Sequence, residues 1–100
     1  MVALELKLGG EFGEGKAISL SGLRNRLAAE SFDAIHFHIN SSGGCASESF
    51  AIYNMLRAQP VPVAATAIGA CRSGGLIIYM AAALRKSEGR YRIYDASRKS

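Results

Sequence analysis

The chain has no tryptophan, only two prolines and only two cysteines among its 100 residues. Two thiols, Cys45 and Cys71, cannot build the disulfide framework on which small secreted domains depend, and a cytosolic compartment would keep them reduced. No apolar stretch is long enough to cross a bilayer, because Arg, Pro, Gly or Ser interrupts each one, so no membrane partner is expected. Met1 to Gly10 alternates in polarity and carries Glu5 and Lys7, unlike a secretory leader. Neither a G-x-G-x-x-G fingerprint nor a P-loop occurs, which removes support for nucleotide binding. These absences leave a cytoplasmic globular protein as the expectation.

Hydrophobic residues make up 49% of the sequence, too many for a disordered segment, and the length fits one domain spanning residues 1–100. The net charge of +4 could suggest a nucleic-acid partner. However, half of the basic residues (Arg85, Lys86, Arg90, Arg92, Arg98 and Lys99) crowd into the C-terminal end, where Tyr91 and Tyr94 are the only aromatics. A solvated basic end explains this better than a nucleic-acid site.

Ala3 to Leu8 alternates and reads as a strand ended by Gly9-Gly10, and Glu11 to Lys16 reads as a loop. Ser19 or Ser21 can cap a helix with the stripe Leu20, Leu23, Leu27. A strand follows over Ala34 to Ile39, then a polar glycine-rich turn, Asn40-Ser41-Ser42-Gly43-Gly44. A helix is expected from about Ser47 to Ala58, with Phe50, Ala51, Met55 and Leu56 at helical spacing. Pro60 and Pro62 stop it, and Val63 to Ile68 is the wholly apolar run of a central strand. A second glycine-rich turn, Gly69 to Gly75, leads into Leu76 to Leu84, read as a buried helix before the start of a further strand. Strands alternating with helices imply an α/β fold with a mainly parallel sheet. Both Ser-Gly-Gly turns should lie side by side at the C-terminal ends of the strands, where such sheets place their chemistry.

Ser73 sits in the second turn, next to backbone amides at the start of a helix. Acyl transfer needs such a pairing of a nucleophile with donors aimed at a developing oxyanion. The Gly74 amide is one such donor, and Gly43 can supply another with no side chain in the way. By local pattern alone, a serine at a helix start is most often just an N-cap, and Cys71-Arg72-Ser73-Gly74-Gly75 meets only half of the G-x-S-x-G elbow.

Three ordered motifs strengthen the first reading. Ile39-Asn40-Ser41-Ser42-Gly43-Gly44, Ala51-Ile52-Tyr53-Asn54 and Gly69-Ala70-Cys71-Arg72-Ser73-Gly74-Gly75 resemble the Clp protease proteolytic subunit (ClpP) family, whose motifs read I-N-S-P-G-G, A-I-Y-(D/N) and G-x-A-A-S-x-(G/A) at the same spacing. Gly10-Glu11-Phe12-Gly13 resembles the G-E-I-G loop of its prophage-encoded, head-maturation members. The likeness covers about residues 4 to 84. It implies the crotonase-like spiral of strand-turn-helix units, a serine peptidase with Ser73 as nucleophile, and an oxyanion hole formed by the Gly43 and Gly74 amides. Asn40 to Gly44 would hold the substrate backbone. The family uses no metal or organic cofactor, works as homo-oligomeric rings on peptide or protein substrates, and in its housekeeping members relies on an AAA+ unfoldase.

Departures from the pattern matter too. Ser42 stands where the family has proline, and Cys71 and Arg72 replace two small residues before the serine. The family's catalytic His and Asp have no match. If Gly89 to Arg98 aligns with the segment before the histidine strand, the chain stops short of that residue; if Ile93-Tyr94-Asp95 aligns with the M-I-H motif, Tyr94 replaces it. The expectation is therefore a truncated or degenerate domain with little or no activity, or a non-catalytic relative kept for assembly. A crotonase-type acyl-CoA enzyme is a third possibility sharing the fold. His36 and His38 lie on one strand face and are candidate metal ligands with Cys45 and Cys71, or a substitute base for Ser73. They lack the close C-x-x-C or H-x-x-x-H spacing of a metal site, so hydrogen-bonded strand histidines are expected. Cys71 is an alternative nucleophile only if exposed; a small core thiol is expected. Met55 and Met80 read as packing residues.

Overall fold

A computed structural model describes residues 2–87. Seven elements follow one another: β1 (Ala3–Phe12), α1 (Leu20–Ala29), β2 (Ala34–Gly44), α2 (Ala46–Arg57), β3 (Val63–Cys71), α3 (Gly74–Tyr79) and β4 (Leu84–Ser87). The four strands form one sheet in the order β1-β2-β3-β4, and every neighbouring pair is parallel. The architecture is the expected α/β one.

The alternation in β1 buries Leu4, Leu6 and Leu8 beside Ile35, Phe37 and Ile39 of β2. This sheet face packs against Ile52 and Leu56 of α2 and Leu76 and Ile78 of α3 to make the core. The other face carries Glu5, Lys7, His36 and His38. β3 is small and apolar because it lies mid-sheet, with Val63, Ala65 and Ala67 all buried. Helix α1 begins as expected at Ser19, whose hydroxyl accepts from the Gly22 amide at 3.1 Å.

Four boundaries differ from the sequence reading. The strands run on through the glycine-rich stretches: Gly43 and Gly44 pair with Glu11 and Phe12, and Ser41 pairs with Cys71. Asn40 to Gly44 is thus an extended continuation of β2 past a register shift, and Glu11 and Phe12 belong to β1, not to a loop. Glycine hides this because it contributes no side-chain alternation, while its backbone still joins the ladder. In α2 the buried stripe is Ser49, Ile52 and Leu56, which leaves Phe50 outside at 54% exposure.

The apolar run from Leu76 to Leu84 divides rather than forming one helix. α3 ends at Tyr79, turns close through Ala81 and Ala82, and the Ala83 amide donates to the Val63 carbonyl at 2.9 Å as the chain enters β4. Unpaired donors and acceptors along β3 are satisfied by that return. Met80 consequently caps α3 and is exposed rather than packed. The alternating patch at Tyr91 to Tyr94 lies outside the described residues. No helix among the described residues is long and apolar enough to cross a membrane.

Candidate active site

The C-terminal ends of β2 and β3 are stitched together by three contacts. Asn40 Oδ1 accepts from the Ala70 amide at 2.9 Å. The Ser41 carbonyl accepts from the Arg72 amide at 3.2 Å. Gly43 lies against Ser73 so closely that a Cβ built on it would stand 3.0 Å from Ser73 Cβ, 3.2 Å from its Oγ and 3.3 Å from the Gly74 nitrogen. Gly43, Ser73 and Gly74, expected from the sequence to share one site, lie against one another in the fold.

Ser73 occupies an unusual backbone conformation, φ 50° and ψ −120°. It is the only non-glycine residue with positive φ among those described. Such a conformation costs about 1–3 kcal/mol and persists only where the surroundings impose it. Here the imposed bend leaves the residue exposed between buried Cys71 and buried Gly74. The hydroxyl does not cap α3: it makes no side-chain bond to that helix. Among the described residues Ser73 Oγ has no hydrogen-bond partner, and the Gly74 N–H has no acceptor.

Gly43 is less free. Its N–H donates to Ser41 Oγ at 3.1 Å, so an incoming oxyanion would have to share that donor. Its φ of 120° lies in the left-handed region, which suits glycine. Ser41 and Ser49 are supporting residues that the sequence reading missed. Ser49 is fully buried, donates to the Cys45 carbonyl at 3.0 Å, and presses its hydroxyl into the space beside Gly74 where any side chain would sit. The available signal was a serine on the buried stripe of a helix, opposite a Gly-Gly pair. An open cleft of about 450 Å³ is lined by Gly10, Glu11, Asn40, Ser42, Gly43 and Ala70, with Ser73 not in its lining.

The two cysteines part company. Cys71 is fully buried, burial pushes its thiol up to about 11, and it donates to the Gly75 carbonyl, so it is a core thiol and not a nucleophile. Cys45 is exposed, and its hydrogen bond with Ser47 lowers its pKa. The histidines are hydrogen-bonded elsewhere in the sheet: His36 Nε2 meets Thr66 Oγ1 at 2.8 Å and His38 Nε2 meets Glu5 Oε1 at 2.7 Å. Neither forms a hydrogen bond with Ser73. Both alignments of the tail, and Tyr94 with them, lie outside the described residues.

A scan against protein-family profiles matches residues 8–96 to Clp protease. The chain belongs to the Clp protease family. Among solved structures it is similar to an asparagine-to-aspartate mutant of ClpP1 from Listeria monocytogenes, with a TM-score of 0.68 and 27% identity. That match covers 78% of this chain and 46% of the ClpP1 chain, so the chain spans less than half the length of that relative. Comparison with curated protein sequences gives no match. Family membership and the parallel sheet agree with a ClpP-like peptidase domain.

Proposed function

We propose that the chain carries the nucleophile and oxyanion part of a ClpP-type serine peptidase site. Ser73 attacks a peptide carbonyl, and the Gly74 amide, with the Gly43 amide shared from Ser41, receives the developing negative charge. The observation that carries this reading is a strained, exposed Ser73 whose hydroxyl has no hydrogen-bond partner among the described residues and which lies against Gly43 at the start of α3. The neighbouring cleft, which Gly43 helps to line, supports an extended peptide as substrate. Within the prophage, head-maturation branch that the Gly10 to Gly13 stretch suggests, the substrate would be a protein segment.

Turnover needs a base to take the serine proton, and this chain's two histidines are engaged by Glu5 and Thr66. Little or no peptidase activity is the expectation for these 100 residues alone, although the amides retain some effect on bound carbonyls. Exposed Phe50 (54%) and Leu84 (70%) support the assembly of a cytoplasmic homo-oligomer of the ring type, with an AAA+ unfoldase as a further partner. Sedimentation of a clean monomer at micromolar concentration would refute the assembly.

A second reading, a non-catalytic assembly subunit, draws on the Gly43 amide already held by Ser41 and on Arg72 beside the serine. A fluorophosphonate probe separates the two. Labelling of the wild type that disappears in Ser73→Ala supports a competent nucleophile, and no labelling of folded protein supports the assembly role.

A further inference from the structure

The sheet face turned away from the helices carries a cluster that the peptidase reading does not use. Glu5 of β1 stands in register with His36 of β2, and His38 follows two residues later on the same face. His36 Nδ1 and His38 Nε2 approach one and the same oxygen, Glu5 Oε1, at 3.3 and 2.7 Å. The two rings lie 4.2 Å apart, tilted by 44°. The three ligand atoms all fall within 4.8 Å of one another, and neither cysteine joins the group. Spacing along the sequence could not reveal this set, because the carboxylate comes from a different strand through parallel register.

We infer that Glu5, His36 and His38 form a binding site for a divalent transition-metal ion of the zinc class, which clips β1 to β2. Two imidazoles and one carboxylate suit Zn²⁺, Co²⁺ or Ni²⁺ and not the oxygen-loving Mg²⁺ or Ca²⁺. Tetrahedral bonds of about 2.0–2.1 Å place neighbouring ligand atoms roughly 3.3 Å apart. The His36–Glu5 separation already has this value, and the His38–Glu5 pair reaches it by opening about 0.6 Å. Glu5 is 55% exposed at its side chain, so it can adjust.

An outer partner is also in place. Thr66 of β3 is 2% exposed, and its hydroxyl lies 2.8 Å from His36 Nε2. Ion binding selects the tautomer whose Nε2 proton is donated to Thr66, which turns the Nδ1 lone pair toward the ion. Lys7, in register with His38, brings a positive charge to the same face and opposes the ion.

The test uses the tag-free full chain in a Cys45→Ser background, titrated with Co²⁺ by visible absorption and with Zn²⁺ by calorimetry. One ion per chain is expected, with d–d bands and no thiolate charge-transfer band. Glu5→Gln and His38→Ala should weaken binding at least about tenfold, and Thr66→Val about 10–100-fold, as loss of an outer partner does. Lys7→Ala should tighten it. Imidazole ¹⁵N spectra of the unmutated chain remove dependence on variant folding: Zn²⁺ should shift His36 Nδ1 and His38 Nε2. Absence of binding, or shifts confined to other nitrogens, overturns the site. Because no arm reads Ser73, these results stand apart from the peptidase proposal.

Discussion

Gly43 and Ser73 lie against each other across the ends of β2 and β3, so closely that a methyl group on Gly43 would have to push Ser73 aside by a few tenths of an ångström. Gly43→Ala would force a Cβ within 3.2 Å of the serine oxygen and would place alanine at φ 120°. The backbone strain alone costs about 1–3 kcal/mol. Displacing the hydroxyl should lower fluorophosphonate labelling about a hundredfold, the scale of a misplaced reacting group. Urea unfolding and labelling rates on the same preparation check both parts. Full labelling in the variant would remove Gly43 from the proposed oxyanion site.

Ser73 stores strain for its exposure. Glycine adopts φ 50° freely, so Ser73→Gly should raise stability by about 1 kcal/mol while ending all labelling. Ser73→Ala, which keeps a Cβ, should end labelling without that gain. Equal stabilities for the two variants would mean that the conformation at Ser73 is not strained.

Gly74 and Ser49 form a coupled pair. Any side chain at position 74 meets the buried Ser49 hydroxyl, so Gly74→Ala should be strongly destabilising, by about 2 kcal/mol or more. Ser49→Gly in the same chain opens the space and should recover part of the loss, beyond the small helix penalty of the added glycine. A double-mutant cycle by denaturant unfolding measures the coupling. Additive losses would place the obstruction elsewhere.

The core and the site were unequally legible in the sequence. Leucine alternation at Leu4, Leu6 and Leu8 and the small apolar run at Val63 to Ala67 announce β1 and β3, because burial on one or both faces leaves a pattern. The stretches Asn40–Gly44 and Gly69–Cys71 carry no such pattern, since glycine and serine join a ladder through backbone alone. For the same reason α3 and β4 merge into one apolar run: the break at Tyr79 is set by β3's need for a partner, which is a tertiary demand. At the site, the residue types at 43, 73 and 74 were readable. What was not readable was the Ser41 hydroxyl occupying the Gly43 donor, because a serine gives no sign in the sequence of whether its side chain turns toward the backbone amide two residues on. Register likewise assembled Glu5 with His36 and His38 across two strands.

The two thiols should differ in reactivity and in their effect on stability. Cys45 is exposed and hydrogen-bonded to Ser47, so a thiol reagent at neutral pH should modify one cysteine quickly and the second only on unfolding. Cys71 holds its proton up to about pH 11 in the folded chain, against an ordinary value near 9. The unfolded chain therefore loses that proton first as pH rises. The stabilisation is complete below about pH 9 and declines between 9 and 11, by about 2–3 kcal/mol in total at 1.4 kcal/mol per unit. Tyr79, whose pKa burial also raises, acts in the same direction. Cys71→Ser removes the thiol's share but buries a further hydroxyl, so Cys71→Ala is the cleaner variant. Its urea midpoint should fall less steeply than the wild type's between pH 9 and 11, and parallel curves would mean that Cys71 ionises no later in the fold than in the open chain.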